Sequence, residues 1–162
     1  MARFRTFFAA ALYGSILGAI GCAGDDGVTL DQGPVTNPNE IDCTGAEDFV
    51  AGISHPTVGS GTVVAITQAT PTPPDVGDNA WTISLTDGAG APVEGASPQL
   101  VPYMPLHGHG LVPPSYGSTP KGAGTYEVAP FDLIMPGLWE FTVELGTAES
   151  PDAAVFQFCA EG

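Results

Sequence analysis

Short runs in which apolar and polar residues alternate, separated by clusters of proline and glycine, constrain the fold of this chain most strongly. In Ala80–Thr86 the apolar side chains are Trp81, Ile83 and Leu85, and Trp139–Leu145 alternates in the same way. A period of two is typical of a β-strand with one buried face. The 162 residues include 16 prolines and 22 glycines, which favour turns and keep the strands short.

Further β-favouring runs follow the same plan, and no segment has a convincing helical pattern. They are Thr62–Thr67, Gln99–Tyr103, Gly124–Leu133 with an interruption at Pro130, and Ala153–Cys159. About seven short strands without a helix predict an all-β domain, specifically an immunoglobulin-like β-sandwich, over residues 43–162. Trp81 and Trp139 are expected at the centre of its core, packing across the two sheets.

The N-terminus has the features of an export signal. Arg3 and Arg5 precede an apolar run from Phe7 to Ile20, which is followed by Gly21 and Cys22. A positive start, a short apolar stretch and small residues at its end predict a signal peptide over residues 1–21. The run is too short for a transmembrane helix, which needs about 20 apolar residues.

Residues 17–22, LGAIGC, resemble the lipobox of bacterial lipoproteins, in which the cysteine is acylated and becomes the mature N-terminus. The resemblance implies that Cys22 carries a lipid. The protein would then be a membrane-anchored lipoprotein of the bacterial cell envelope, facing the periplasm or the exterior. Ordinary secretion with cleavage nearby is the alternative. Residues 22–42 are polar and rich in Gly, Pro, Asn and Asp, which predicts a flexible tether before the folded domain.

The chain is strongly acidic, with 18 Asp and Glu against three Lys and Arg and a net charge of −15. So few cations disfavour binding to a nucleic-acid backbone. Removal of residues 1–21 leaves Lys121 as the only Lys or Arg, so contact with anionic lipid depends on the anchor. The expected partners are therefore the membrane, through the anchor, and an envelope protein, but no nucleic acid.

Two cysteines, Cys43 and Cys159, remain if Cys22 carries lipid, and they bracket almost the whole predicted domain. An even pair in an oxidising compartment predicts a disulfide bond. Two free thiols or a cysteine metal site are the alternatives, although no CxxC spacing supports a metal site.

The most unusual local sequence is YMPLHGHG at residues 103–110, and LIMPGLW follows at residues 133–139. His107 and His109 are two residues apart, so on an extended backbone both imidazoles project to one side. Imidazole nitrogens and the thioethers of Met104 and Met135 form a ligand set that suits copper better than calcium or magnesium. Zinc more often takes a third histidine, a carboxylate or thiolates.

These residues predict a copper site. Its expected ligands are Met104, His107, His109 and Met135, with Tyr103 or Trp139 as a neighbouring wall. The alternative is a turn whose histidines bind backbone carbonyls, with the two methionines as core fillers.

The two motifs, together with GDNAW at 77–81, DG at 87–88, PV at 92–93 and GTY at 124–126, resemble the YtkA-like family, which overlaps FixH-like proteins. The resemblance covers residues 67–158. Members are typically small extracytoplasmic or lipid-anchored β-sandwich domains, and some relatives are implicated in copper handling for terminal oxidase assembly. The resemblance thus implies a chaperone or store for envelope copper proteins.

A second class of function stays open beside copper binding, namely an immunoglobulin-like structural or interaction module of the envelope that holds no metal. Catalysis has less support. The chain has no GxSxG motif and no glycine-rich phosphate loop before a helix, and its acids are scattered. We therefore expect that the protein is not an enzyme.

Overall fold

The structure, a computed structural model, describes residues 41–146 and 150–162, and these residues form ten β-strands and no helix. The strands are β1 (Ile53–Pro56), β2 (Val63–Thr70), β3 (Gly77–Thr86), β4 (Gln99–Met104), β5 (His109–Gly110), β6 (Tyr116–Gly122), β7 (Thr125–Val128), β8 (Phe131–Leu133), β9 (Gly137–Glu144) and β10 (Ala153–Ala160). The predicted signal peptide, Cys22 and nearly all of the predicted tether lie outside the described residues. Within the described ranges, no helix is long and apolar enough to cross a membrane.

All strand pairs are antiparallel, and the hydrogen-bonded order is β1-β2-β3-β7-β6-β4-β9-β10, with β5 on β4 and β8 on β3. The first and last strands of this order lie against each other. Just beyond β1, the Val58 amide donates to the Ala153 carbonyl over 3.0 Å. The strands therefore curl into a nearly closed, barrel-like sheet. The all-β prediction is confirmed, whereas the immunoglobulin-like arrangement stays a prediction.

Every run predicted as a strand contains one, but the structure has more strands than expected. Gly124–Leu133 divides into β7 and β8 on either side of Pro130, which cannot donate to a ladder. The strands β1, β5 and β6 were not predicted from the sequence. In β6 most side chains are exposed and a register shift follows Pro120, so no alternating pattern marks it.

The core is built around Trp81 of β3, whose ring centroid lies 4.7 Å from that of Phe141 and 5.3 Å from that of Phe131. Trp81 and Trp139 are almost completely buried, as expected. The Nε1 atom of Trp81 is buried without a hydrogen-bond partner. The inward-facing residues of β2, β3, β9 and β10 surround these rings, because alternate positions of each strand point inward.

A segment before β1, residues 43–49, covers the outer edge of β10. Cys43 and Cys159 form a disulfide with their Cα atoms 5.4 Å apart, within the range that a disulfide requires. The Glu47 amide donates to the Gln157 carbonyl over 2.7 Å, and the Gln157 amide donates to Oε1 of Glu47 over 2.9 Å. The predicted pairing of Cys43 with Cys159 thus fixes the entrance of the domain to its last strand.

Candidate metal site

The YMPLHGHG motif forms a tight hairpin between β4 and β5. The amides of His107 and Gly108 both donate to the Met104 carbonyl, over 3.2 and 2.9 Å. Gly108 has a φ of +71°, a left-handed conformation that glycine adopts most easily. His107 therefore lies in the turn, and only His109 lies on a strand. The expectation that both histidines share one extended segment is wrong, because the chain reverses direction at Gly108.

The pairing of β4 with β5 places His109 beside Met104. These two residues are directly opposite each other, and opposite residues of an antiparallel pair project to the same face. Met104 is completely buried, so this is the inner face of the sheet. His109 is half-buried, and its ring centroid lies 6.5 Å from that of the buried Trp139.

The hairpin turn brings the second imidazole to the first. The ring centroids of His107 and His109 lie 5.8 Å apart with an interplanar angle of 78°. His107 is exposed, whereas His109 is not. Two imidazoles that each place a nitrogen about 2 Å from one ion can have such a separation. The pair predicted from the HxH spacing is therefore present, although the turn rather than strand alternation creates it.

A backbone carbonyl selects the tautomer of the neutral His109 ring. Its Nδ1 atom lies 3.3 Å from the carbonyl oxygen of Gly110, which can only accept a hydrogen bond. The neutral ring therefore carries its proton on Nδ1 and keeps a lone pair on Nε2. Histidines that bind metals commonly donate their other ring nitrogen to a carbonyl in this way. The same hydrogen bond is expected of a metal ligand and of the alternative, a turn histidine that binds a backbone carbonyl.

The LIMPGLW motif reaches the same end of the sheet. The Trp139 indole donates from Nε1 to the Met135 carbonyl over 3.0 Å, and Met135 packs partly buried against the core. Gly137 is buried below Met104: a Cβ atom at this position would lie 2.9 Å from Cε of Met104. Gly137 was not predicted as a site residue, although a glycine within the MPG motif is the signal for a close approach of another side chain to the backbone.

Met104, His107 and His109 thus meet at one end of the sheet, and the Met135 backbone reaches the same end through its hydrogen bond from Trp139. The two predicted walls are not equivalent. Trp139 shares the inner face with Met104 and faces the His109 ring. Tyr103 precedes Met104 on the same strand, so it projects to the outer face, where it is 39% exposed. Trp139 thus lies on the inner side of His109 and Tyr103 on the outer side of the hairpin, near Gly108, and the wall stays a prediction.

No group of three or more His, Cys, Asp or Glu side chains in residues 41–146 and 150–162 is arranged to hold a metal. Soft thioether sulfur with imidazole nitrogen is a donor set that fits copper. The only Lys or Arg in the described ranges, Lys121, is on β6 in an ion pair with Glu127, so no such cation belongs to this group of residues.

Fold and site together define a small, disulfide-linked all-β domain with a methionine–histidine cluster at one end. A family model described as YtkA-like matches residues 60–144, which is more than half of the chain. The chain belongs to this family, and the match includes both the HGHG and the MPG motifs. No curated protein and no solved structure matches the chain.

Proposed function

We propose that this protein binds copper in the bacterial cell envelope and acts there as a chaperone or store for envelope copper proteins. The observation that carries the proposal is the state of His109. Its Nδ1 atom donates a hydrogen bond to the Gly110 carbonyl, so its Nε2 atom keeps a lone pair that can bind a metal. The residue lies directly opposite Met104 in the pairing of β4 with β5. His107 supplies a second imidazole from the turn, and Met135 supplies a second thioether.

Anaerobic titration with Cu(I) against a competing chelator tests the proposal. We expect wild-type protein to bind Cu(I) more tightly than micromolar, and the double variant His107→Ala/His109→Ala to bind it at least about tenfold more weakly. His55→Ala is the matched control, because His55 binds Glu47 over 2.7 Å and takes no part in the cluster. Binding no tighter than micromolar, or an unchanged affinity of the double variant, contradicts copper binding.

The proposal includes a lipid anchor at Cys22, supported by the lipobox-like sequence before it. The variant Cys22→Ser should no longer incorporate labelled palmitate, and it should accumulate as unprocessed or soluble protein. Processing that is unchanged, with the variant still bound to membranes after a salt wash, argues against the anchor.

We also interpret the strands as an immunoglobulin-like sandwich. One group is β1, β2, β3, β6 and β7, with β8 on β3, and the other is β4, β5, β9 and β10. Along the strand order the groups are joined by two residue pairs between β4 and β6, and at the other edge β1 lies against β10. Trp81 of the first group packs on Phe141 of the second. Amide hydrogen exchange tests this interpretation. In two facing sheets, the Tyr116 and Gly117 amides at the junction should exchange with solvent faster than the amides within β3 or β9. Equal exchange rates at the junction and within these strands favour a continuous barrel instead.

A structural or interaction module without metal is the second candidate function. Leu106 favours it, since this side chain is 57% exposed at the tip of the hairpin. In this interpretation the His109 hydrogen bond only stabilises the turn, and Met104 only fills the core. The Cu(I) titration separates the two candidates.

A further inference from the structure

The predicted ligands lie at different depths. Met104 is completely buried and Met135 partly so, His109 is half-buried, and His107 is exposed in the turn. We infer that depth separates the two oxidation states of copper: Met104, Met135 and His109 hold Cu(I) at the inner end, and His107 and His109 hold Cu(II) at the mouth. This inference rests on the proposed function and assigns its two oxidation states to different side chains.

The inner end suits Cu(I) because its donors are soft and its surroundings are dry. Thioether sulfur selects Cu(I) among the common biological metals. A singly charged ion also costs less to remove from water than a doubly charged one. The Met104 methyl group packs directly on Gly137, since a Cβ there would lie 2.9 Å from the methionine's Cε atom. The buried Trp139 ring lies at the same end, with its centroid 6.5 Å from that of His109.

The mouth suits Cu(II) because its donors are nitrogens and water can reach it. Cu(II) prefers nitrogen and oxygen ligands in tetragonal geometry, so it needs more positions than two imidazoles supply. The exposed position of His107 leaves room for water in those positions. The 5.8 Å separation of the two rings allows both to reach one ion.

His109 stands between the two sets. Its ring is close to both His107 and Trp139, and it is paired with Met104 across the strands. Loss of His109 should therefore weaken the binding of both Cu(I) and Cu(II). Loss of His107 should weaken the binding of Cu(II) alone, and loss of a methionine that of Cu(I) alone. This pattern distinguishes two overlapping sites from a single four-ligand site.

The test measures affinities for Cu(I), anaerobically, and for Cu(II), each by chelator competition, in wild-type protein and three variants. His107→Ala should weaken Cu(II) at least about tenfold and change Cu(I) by less than about threefold. Met135→Leu should do the opposite, and its similar volume at a partly buried position preserves packing. Met104→Leu repeats the test at the buried position, with thermal melts to show that each variant is folded.

Electron paramagnetic resonance of the Cu(II)-loaded protein gives an independent readout. The wild-type spectrum should show nitrogen coupling that decreases in His107→Ala and is unchanged in Met135→Leu. If His107→Ala and Met135→Leu weaken both oxidation states alike, the division by depth is wrong and the proposed function stands. If wild-type protein binds neither state more tightly than micromolar, the proposed function fails and this inference fails with it.

Discussion

A single carboxylate, that of Asp152, joins the turn after β1 to the beginning of β10. The Gly59 and Ser60 amides each donate to its Oδ1 atom over 3.0 Å, and the Ser60 hydroxyl donates to Oδ2 over 2.7 Å. Burial opposes ionisation, but hydrogen bonds from Thr57, Ser60 and Gly59 outweigh it and lower the pKa of Asp152 to about 2. A Cβ atom at Gly59 would lie 2.8 Å from Oδ1, so this close approach requires glycine.

The variant Asp152→Asn should lower the free energy of unfolding at pH 7 by about 0.5–1.5 kcal/mol, because it loses hydrogen bonds to a charged acceptor that solvent partly screens. The folded-state pKa of about 2 lies below 3.8, the ordinary pKa of an aspartate side chain. The stability that ionised Asp152 contributes is therefore complete above the unfolded-state pKa and lost as the pH falls towards 2.

Urea denaturation of both proteins across this pH range measures the effect. The gap between wild type and variant should narrow as the pH falls from 3.8 towards 2. Asp48→Asn, at an exposed position, serves as the control. Its free energy of unfolding should equal that of wild type at every pH. A difference in stability that is constant with pH would show that Asp152 acts through its shape alone.

The hairpins show at the level of elements what the sequence can and cannot predict. Strict alternation revealed β3 and β9, since each has one fully buried face. The same reasoning put His107 on a strand, although the left-handed Gly108 makes it part of a turn. Likewise, the sequence of β6 has no apolar–polar alternation, because most of its side chains are exposed on both faces of the strand. Period-two patterns report burial, so they miss strands and turns whose geometry comes from backbone contacts.

In the hairpin from β6 to β7, a residue other than glycine has a strained backbone conformation. Gly122 pairs with Thr125, so the loop consists of Ala123 and Gly124, whose φ angles are +51° and +69°. Positive φ at both positions defines a type I′ turn, in which asparagine followed by glycine is preferred. Alanine at the first position costs about 1–2 kcal/mol of conformational energy.

Ala123→Asn should therefore raise the free energy of unfolding by about 0.5–1 kcal/mol, because asparagine tolerates the left-handed region better. Ala123→Val, with a β-branched side chain, should lower it. Thermal melts of the three proteins give the order directly. A melting temperature of the asparagine variant below that of wild type would contradict the turn assignment.

In the described domain as a whole, the first and last segments are both held in place by contacts with other parts of the fold. The segment from Cys43 to Glu47 pairs with β10, and the Phe49 ring packs edge-on against Phe158 at 5.3 Å. At the other terminus, hydrogen bonds from the Gly162, Val76 and Glu161 amides lower the pKa of Asp75. The cysteine count, together with the export predicted from the N-terminus, was enough to predict the disulfide. The pairing of Glu47 with β10 was not predictable, because no sequence pattern marks it.

The double variant Cys43→Ser/Cys159→Ser should lower the free energy of unfolding by about 2–5 kcal/mol, since the bond closes a loop with a sequence separation of 116. Thermal melts with and without reductant should show the same loss in wild-type protein. Intact mass after alkylation under denaturing conditions checks the bond itself. Two alkylatable thiols in protein isolated from its native cells would show that the bond is absent there.

X-ray absorption spectroscopy of the Cu(I)-loaded wild-type protein tests the central claim most directly, because it identifies the atoms bound to the metal. The arrangement of Met104, Met135 and His109 predicts sulfur and imidazole nitrogen together in the first coordination shell. The sulfur contribution should fall in Met135→Leu and be unchanged in His55→Ala. A shell of nitrogen and oxygen alone, identical in wild type and Met135→Leu, would contradict a methionine–histidine copper site.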